Sequence, residues 1–113
     1  MAFSYTRIHE RDGVSFFEDV ELAADAQGAF EPSPVASLIP CEVTVAPEPG
    51  PHNAPRRQYI VHLEGAVQVR ASGGEERVFG PGAVVLAEDL EGAGHVTTWI
   101  GDGPWRWLIL PAS

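Results

Sequence analysis

The sequence predicts an all-β fold, a barrel or sandwich of short strands. Three observations lead there. Ten prolines and twelve glycines recur every few residues and leave no uninterrupted stretch for a helix. The apolar runs between them are short, and several alternate with a period of two. The runs recur at intervals of about ten residues with turn-forming residues between them, the spacing of antiparallel barrels and sandwiches.

Each element follows from local chemistry. VSFFEDVEL (Val14–Leu22) is apolar and extended, and the polar AADAQGAFEPSP closes it. PVASLIPCEVTVAP places Cys41, Val43 and Val45 on one face and Glu42 and Thr44 on the other. Cys41 therefore reads as a small core residue and not as a nucleophile. QYIVHLEGAVQVRA is a strand pair, or one strand bent at Gly65. SGGEE (Ser72–Glu76) is a hairpin turn, because paired glycines supply the positive φ such turns need. RVFGPGAVVLAED passes through a Gly-Pro-Gly turn into an apolar strand over Ala83–Ala87. GHVTTWIG and PWRWLILP are the last two strands, joined by GDGP. There is no repeat, low-complexity tract or linker, and residues 1–113 read as a single domain.

Composition excludes several functions. The net charge is −9, which repels phosphate backbones and argues against nucleic-acid binding. All seven basic residues are arginine, so no lysine of this chain can form a Schiff base. The same lysine-free, Ala/Gly/Arg-rich composition suggests a GC-rich bacterial genome. The single cysteine cannot form an internal disulfide, which fits a reducing compartment. No run approaches the ~20 apolar residues of a membrane span. MAFSYTRIHERDG lacks the apolar centre of a signal peptide, so a cytoplasmic protein is expected. No Gly-x-Ser-x-Gly elbow or phosphate loop is present.

Three segments, PHNAPRRQYIVHLEGAVQV, GGEERVFGPGAVVLAED and GAGHVTTW, together resemble the cupin superfamily. The likeness is greatest to small single-domain bacterial cupins, covers Pro47 to about Trp99 and is loose over the N-terminal third. The resemblance implies a cupin-type double-stranded β-helix, a jelly-roll barrel. It is informative about fold and weak for function, because one such barrel hosts many chemistries. It also implies a metal site of two histidines one residue apart, a glutamate and a third histidine. Mapped here, the first histidine is His52, the second position is Ala54, the glutamate position is Gln58 and the third histidine is His95. The set left, His52, Gln58 and His95, would hold a divalent ion such as Zn, Ni, Fe or Mn weakly or not at all, since an amide oxygen is a poorer ligand than a carboxylate.

Strand alternation puts Gln58, Ile60, His62 and Glu64 on one face and Tyr59, Val61 and Leu63 on the other. The resemblance turns the Gln58 face inward. Four residues of strand span roughly 13 Å, too far for Gln58 and His62 to grip one ion but suited to lining one cavity. His62 is then either a general acid/base, with an unperturbed pKa near physiological pH, or a core histidine satisfied by a carbonyl or a buried water. His95 shares its face with Thr97 and Trp99, an apolar wall if that face is inward. Trp105 and Trp107 line the cavity or an intersubunit surface. Arg56 is a carboxylate partner or a surface ion-pair residue. Asp89 either orients His95 or an arginine, or caps the LEGAG turn. His9 is expected to be exposed.

The expected function is binding of a small oxygenated metabolite. Its isomerisation, cyclisation, dehydration or decarboxylation would use His62, His95 and Gln58, with His52, Arg56, Tyr59, Trp99 and Trp107 as substrate contacts. The alternatives are a non-catalytic sensing module and a weakly metal-dependent enzyme. No membrane or nucleic-acid partner is expected. A homodimer is, with Phe16 and Phe17 of VSFFEDVEL covering an open sheet edge.

Overall fold

The computed structural model describes residues 3–23, 27 and 33–113. Most of the polar AADAQGAFEPSP segment lies outside them. The described residues form ten strands and no helix: β1 (Phe3–Arg11), β2 (Val14–Leu22), β3 (Ile39–Val43), β4 (Pro51–His52), β5 (Gln58–Glu64), β6 (Ala66–Ala71), β7 (Glu76–Phe79), β8 (Val84–Ala87), β9 (His95–Ile100) and β10 (Trp105–Pro111). No helix is long and apolar enough to cross a membrane.

The strands form two sheets. One has six strands in the order β2-β1-β8-β5-β10-β3, the other four in the order β4-β9-β6-β7. Neither order returns on itself, so strand pairing among the described residues builds two sheets, the sandwich alternative of the expected barrel or sandwich, and no closed barrel. β1 runs parallel to β8, and the other pairings are antiparallel. The core lies between the layers. Ile8, Phe17, Val85 and Trp105 come from the larger sheet and Val67, Val69, Ala71 and Phe79 from the smaller.

QYIVHLEGAVQVRA is two strands, and Gly65 carries the chain from the larger sheet to the smaller. Gly65 has φ 77°, and a Cβ there would lie 2.4 Å from Cδ1 of Trp105. Only glycine meets both demands. At one edge Ser15, fully buried, ties the sheets together. Its Oγ donates to Gly94 O at 2.6 Å and accepts from Ser72 N at 2.8 Å.

Three expectations need correction. Phe17 is buried in this chain's own core, so of the pair only Phe16, partly exposed on the edge strand β2, is left to contribute to an intersubunit cover. β3 ends at Val43; Cys41 is half-buried on that edge strand and Val45 is exposed, because among the described residues no strand pairs with β3 on its side away from β10. His9 is half-buried, its ring edge-on to Phe16 at 5.3 Å and its Nδ1 3.3 Å from Arg7. The sequence reading also passed over β1. There Thr6 and Ile8 are the buried positions, so a single large apolar residue marks the inward face.

Candidate functional site

Between the sheets lies a cavity of about 340 Å³. That suits a small metabolite. β5 lines it with Gln58, Ile60, His62 and Glu64, the four residues that alternation grouped on one face and that the resemblance turned inward. β9 lines it with His95, Thr97 and Trp99, and β10 with Trp105, Trp107 and Ile109. Two strands thus make the same four-residue step, from Gln58 to His62 and from His95 to Trp99. One end of the cavity is consequently polar and the other aromatic, roughly 13 Å apart along the strands.

The polar end is built around a buried ion-pair geometry. Asp89 is fully buried and His95 is 6% exposed. The Asp89 carboxylate lies 2.5 Å from His95 Nδ1. The Asp89 backbone carbonyl accepts from Ala54 N at 3.2 Å, and Asn53 Nδ2 donates to the carbonyls of Asp89, Glu91 and Gly92. Asp89 therefore closes the turn with its backbone and orients His95 with its side chain, combining the two roles considered for it. With Nδ1 engaged, Nε2 is the ring nitrogen left for a ligand. Gly94, at φ 71°, lets β4 approach, since a Cβ there would lie 2.3 Å from His52 O. His52 consequently sits opposite His95, ring centroids 4.4 Å apart, on the exposed rim.

Gln58 is 5% exposed, and its Oε1 accepts from Arg56 Nη1 at 2.8 Å. Guanidinium only donates, so the amide oxygen must face Arg56, and Gln58 has its NH₂ group to offer a ligand. Arg56 itself does not line the cavity; it acts through Gln58. Arg57 pairs with Glu88 at 2.8 Å, which also holds Arg7 at 2.5 Å, a surface network. Tyr59 is on the opposite face of β5, edge-on to Tyr5 at 6.0 Å, and does not reach the cavity. Its expected role as a substrate contact is therefore corrected: it alternates with the inward residues.

His62 lies toward the aromatic end of the cavity, opposite Trp107 and stacked on Phe79 with an interplanar angle of 5° and centroids 6.1 Å apart. Among the described residues its ring has no hydrogen-bond partner, while its backbone bonds Ala83 and Gly82. Burial holds its pKa below the ordinary histidine value, because the charged ring would lose its hydration. At the aromatic end, Trp99 meets Trp105 at 5.4 Å and 79° and Trp107 at 5.1 Å and 56°. Trp105 Nε1 donates to Ala66 O and Ile100 O, both at 3.1 Å. The rim carries Glu48 from the stretch between β3 and β4, a residue the sequence gave no reason to single out, and Glu64 and Arg106. Arg106 is paired with both Glu42 and Glu64.

The donor set does not fit the three-ligand metal centre that the resemblance implies. Among the described residues no three His, Cys, Asp or Glu side chains converge. His52 and His95 are adjacent, but the Gln58 oxygen is taken by a cationic guanidinium, which opposes a second cation at the same oxygen. Ala54 is buried at the remaining position and has no donor.

No protein-family profile matches the chain, and no curated protein matches it significantly.

Proposed function

We propose that this chain is a cupin-like jelly-roll protein that binds a small oxygenated metabolite with an apolar body and transforms it by histidine acid/base chemistry. The observation that carries the reading is the buried Asp89 carboxylate 2.5 Å from Nδ1 of a cavity-lining His95. A fully buried carboxylate is costly unless partnered. Here its partner is an imidazole whose other nitrogen is left for a ligand, an arrangement that suits a base.

In this reading His95 Nε2 takes a proton from a carbon next to a carbonyl. The C–H electron pair moves to form the enolate, and the charge gathers on the carbonyl oxygen. The Gln58 NH₂ group donates to that oxygen, polarised from behind by Arg56 on its own carbonyl. Returning the proton to a different carbon isomerises the substrate; loss of a β-hydroxyl as water dehydrates it. His62, whose pKa burial lowers, stands four residues further along β5, roughly 13 Å from Gln58, as a second proton carrier for a ligand that reaches it. No metal is required, which agrees with the donor set. The protein is also proposed to act as a homodimer, supported by the open edges at β2 and β3 and by exposed Leu38, Ile39 and Leu63.

The test is a thermal-shift screen of oxygenated metabolites followed by turnover assays of the hits. His95→Ala is expected to stay folded by circular dichroism and lose turnover by about 10²–10⁴-fold. Unchanged turnover would sink the mechanism. Tight, saturable binding by the wild type with no chemical change would turn the reading to a sensing module.

A further inference from the structure

We propose that the aromatic end of the cavity binds an alkylated ammonium group, so that the ligand is a small organic cation whose oxygenated end reaches Gln58 and His95. The inference deepens the proposed site and rests on that cavity being the binding site.

The first observation is the convergence of three indoles. Trp99 is in ring contact with both Trp105 and Trp107, at centroid distances of 5.4 and 5.1 Å, and all three line the cavity. Inclined indoles form a corner, and indole faces are the strongest aromatic partners for cations. Trp105 is fixed by its two hydrogen bonds to backbone carbonyls.

The second observation is the charge around this corner. Among the described lining residues the ionised side chains are Glu48, Glu64 and Arg106. Arg106 is paired with Glu42 and Glu64, so no free guanidinium awaits a ligand anion. The lining holds two carboxylates to one guanidinium, in a chain of net charge −9 that draws cations toward it. Burial also disfavours the charged form of His62, the other basic group nearby.

The third observation separates an alkylated cation from a primary amine. A primary ammonium carries three N–H donors. The carbonyls of Ala66 and Ile100 at this corner are already occupied by Trp105, and Glu64 by Arg106. A fully alkylated, quaternary ammonium has no N–H, needs no acceptor and gains from indole faces and diffuse negative charge.

The probe is choline, set against 3,3-dimethylbutan-1-ol, which has the same shape with carbon in place of the charged nitrogen. Intrinsic tryptophan fluorescence reads binding without turnover. Choline is expected to bind about tenfold or more tighter than the neutral alcohol. Trp99→Leu should remove binding, and Glu48→Gln, an exposed change that leaves the core intact, should weaken it several-fold. Choline has no carbonyl and no C–H acidified by one, so its binding reads the aromatic corner without the acid/base step, and this inference can fail or hold independently of that mechanism. Equal binding of the two probes, no binding of either, or choline affinity indifferent to Glu48→Gln would overturn it.

Discussion

His62 sits where a strand built only for packing would carry an aliphatic residue. Its ring stacks on Phe79 and is half-buried with no protein hydrogen-bond partner among the described residues. Because burial lowers its pKa, the unfolded chain takes up a proton here more readily than the folded one. Stability is therefore unaffected by His62 above its unfolded value of about 6.5 and falls as the pH drops through that value toward the lower folded one. His62→Leu should show a smaller loss of Tm than the wild type between about pH 7.5 and 5.5; equal losses would contradict this account. Asp89→Asn keeps the turn, whose hydrogen bonds use the backbone carbonyl, but replaces the carboxylate on His95. Turnover should fall by about 10²–10⁴-fold while ligand binding changes little. The grouping of Gln58, Ile60, His62 and Glu64 on one face of β5 was legible because strand parity is strict, but parity alone does not say which face is inward. Asp89 was legible only as one of two roles, since no local pattern tells that a turn carboxylate folds back onto a residue six positions later.

At the scale of the elements, the two sheets are coupled at few points, and these can be tested singly. Gly65→Ala would force a side chain into a left-handed backbone and against Trp105. A cost of about 1–3 kcal/mol is expected in urea unfolding, and a change near zero would contradict the assigned conformation. Ser15→Ala leaves Gly94 O and Ser72 N without their Ser15 partner, and should cost about 1–3 kcal/mol by the same measurement. The glycine at the strand-to-strand bend could be anticipated from its position between two apolar runs. The Ser15 tie could not, because it joins residues 57 and 79 positions apart in the chain. β1 escaped notice for a related reason: its inward face is Thr6 and Ile8, and its stability comes from pairing with β2 and β8 and not from an apolar pattern.

For the whole molecule, all-β character followed from proline and glycine spacing together with short period-two apolar runs at intervals of about ten residues. The choice between barrel and sandwich did not, because strand order is decided by pairings between distant segments that local periodicity does not encode. Protein purified without chelator is expected to carry well under one equivalent of metal by elemental mass spectrometry, with a Tm indifferent to EDTA. Stoichiometric metal lost in His52→Ala would contradict the reading of the donor set. Sedimentation at micromolar concentration should give a dimer; a monomer would remove the proposed assembly. The central claim is that His95, held by Asp89, moves a proton on a bound metabolite. The direct measurement is proton–deuterium exchange, followed by NMR, of the metabolites that bind, incubated with wild type, His95→Ala and Asp89→Asn protein in D₂O. The account predicts deuterium at a single carbon next to the carbonyl with wild-type protein, none with His95→Ala and a large reduction with Asp89→Asn. Exchange that persists unchanged in His95→Ala, or no exchange in any ligand that the wild type binds, would contradict it.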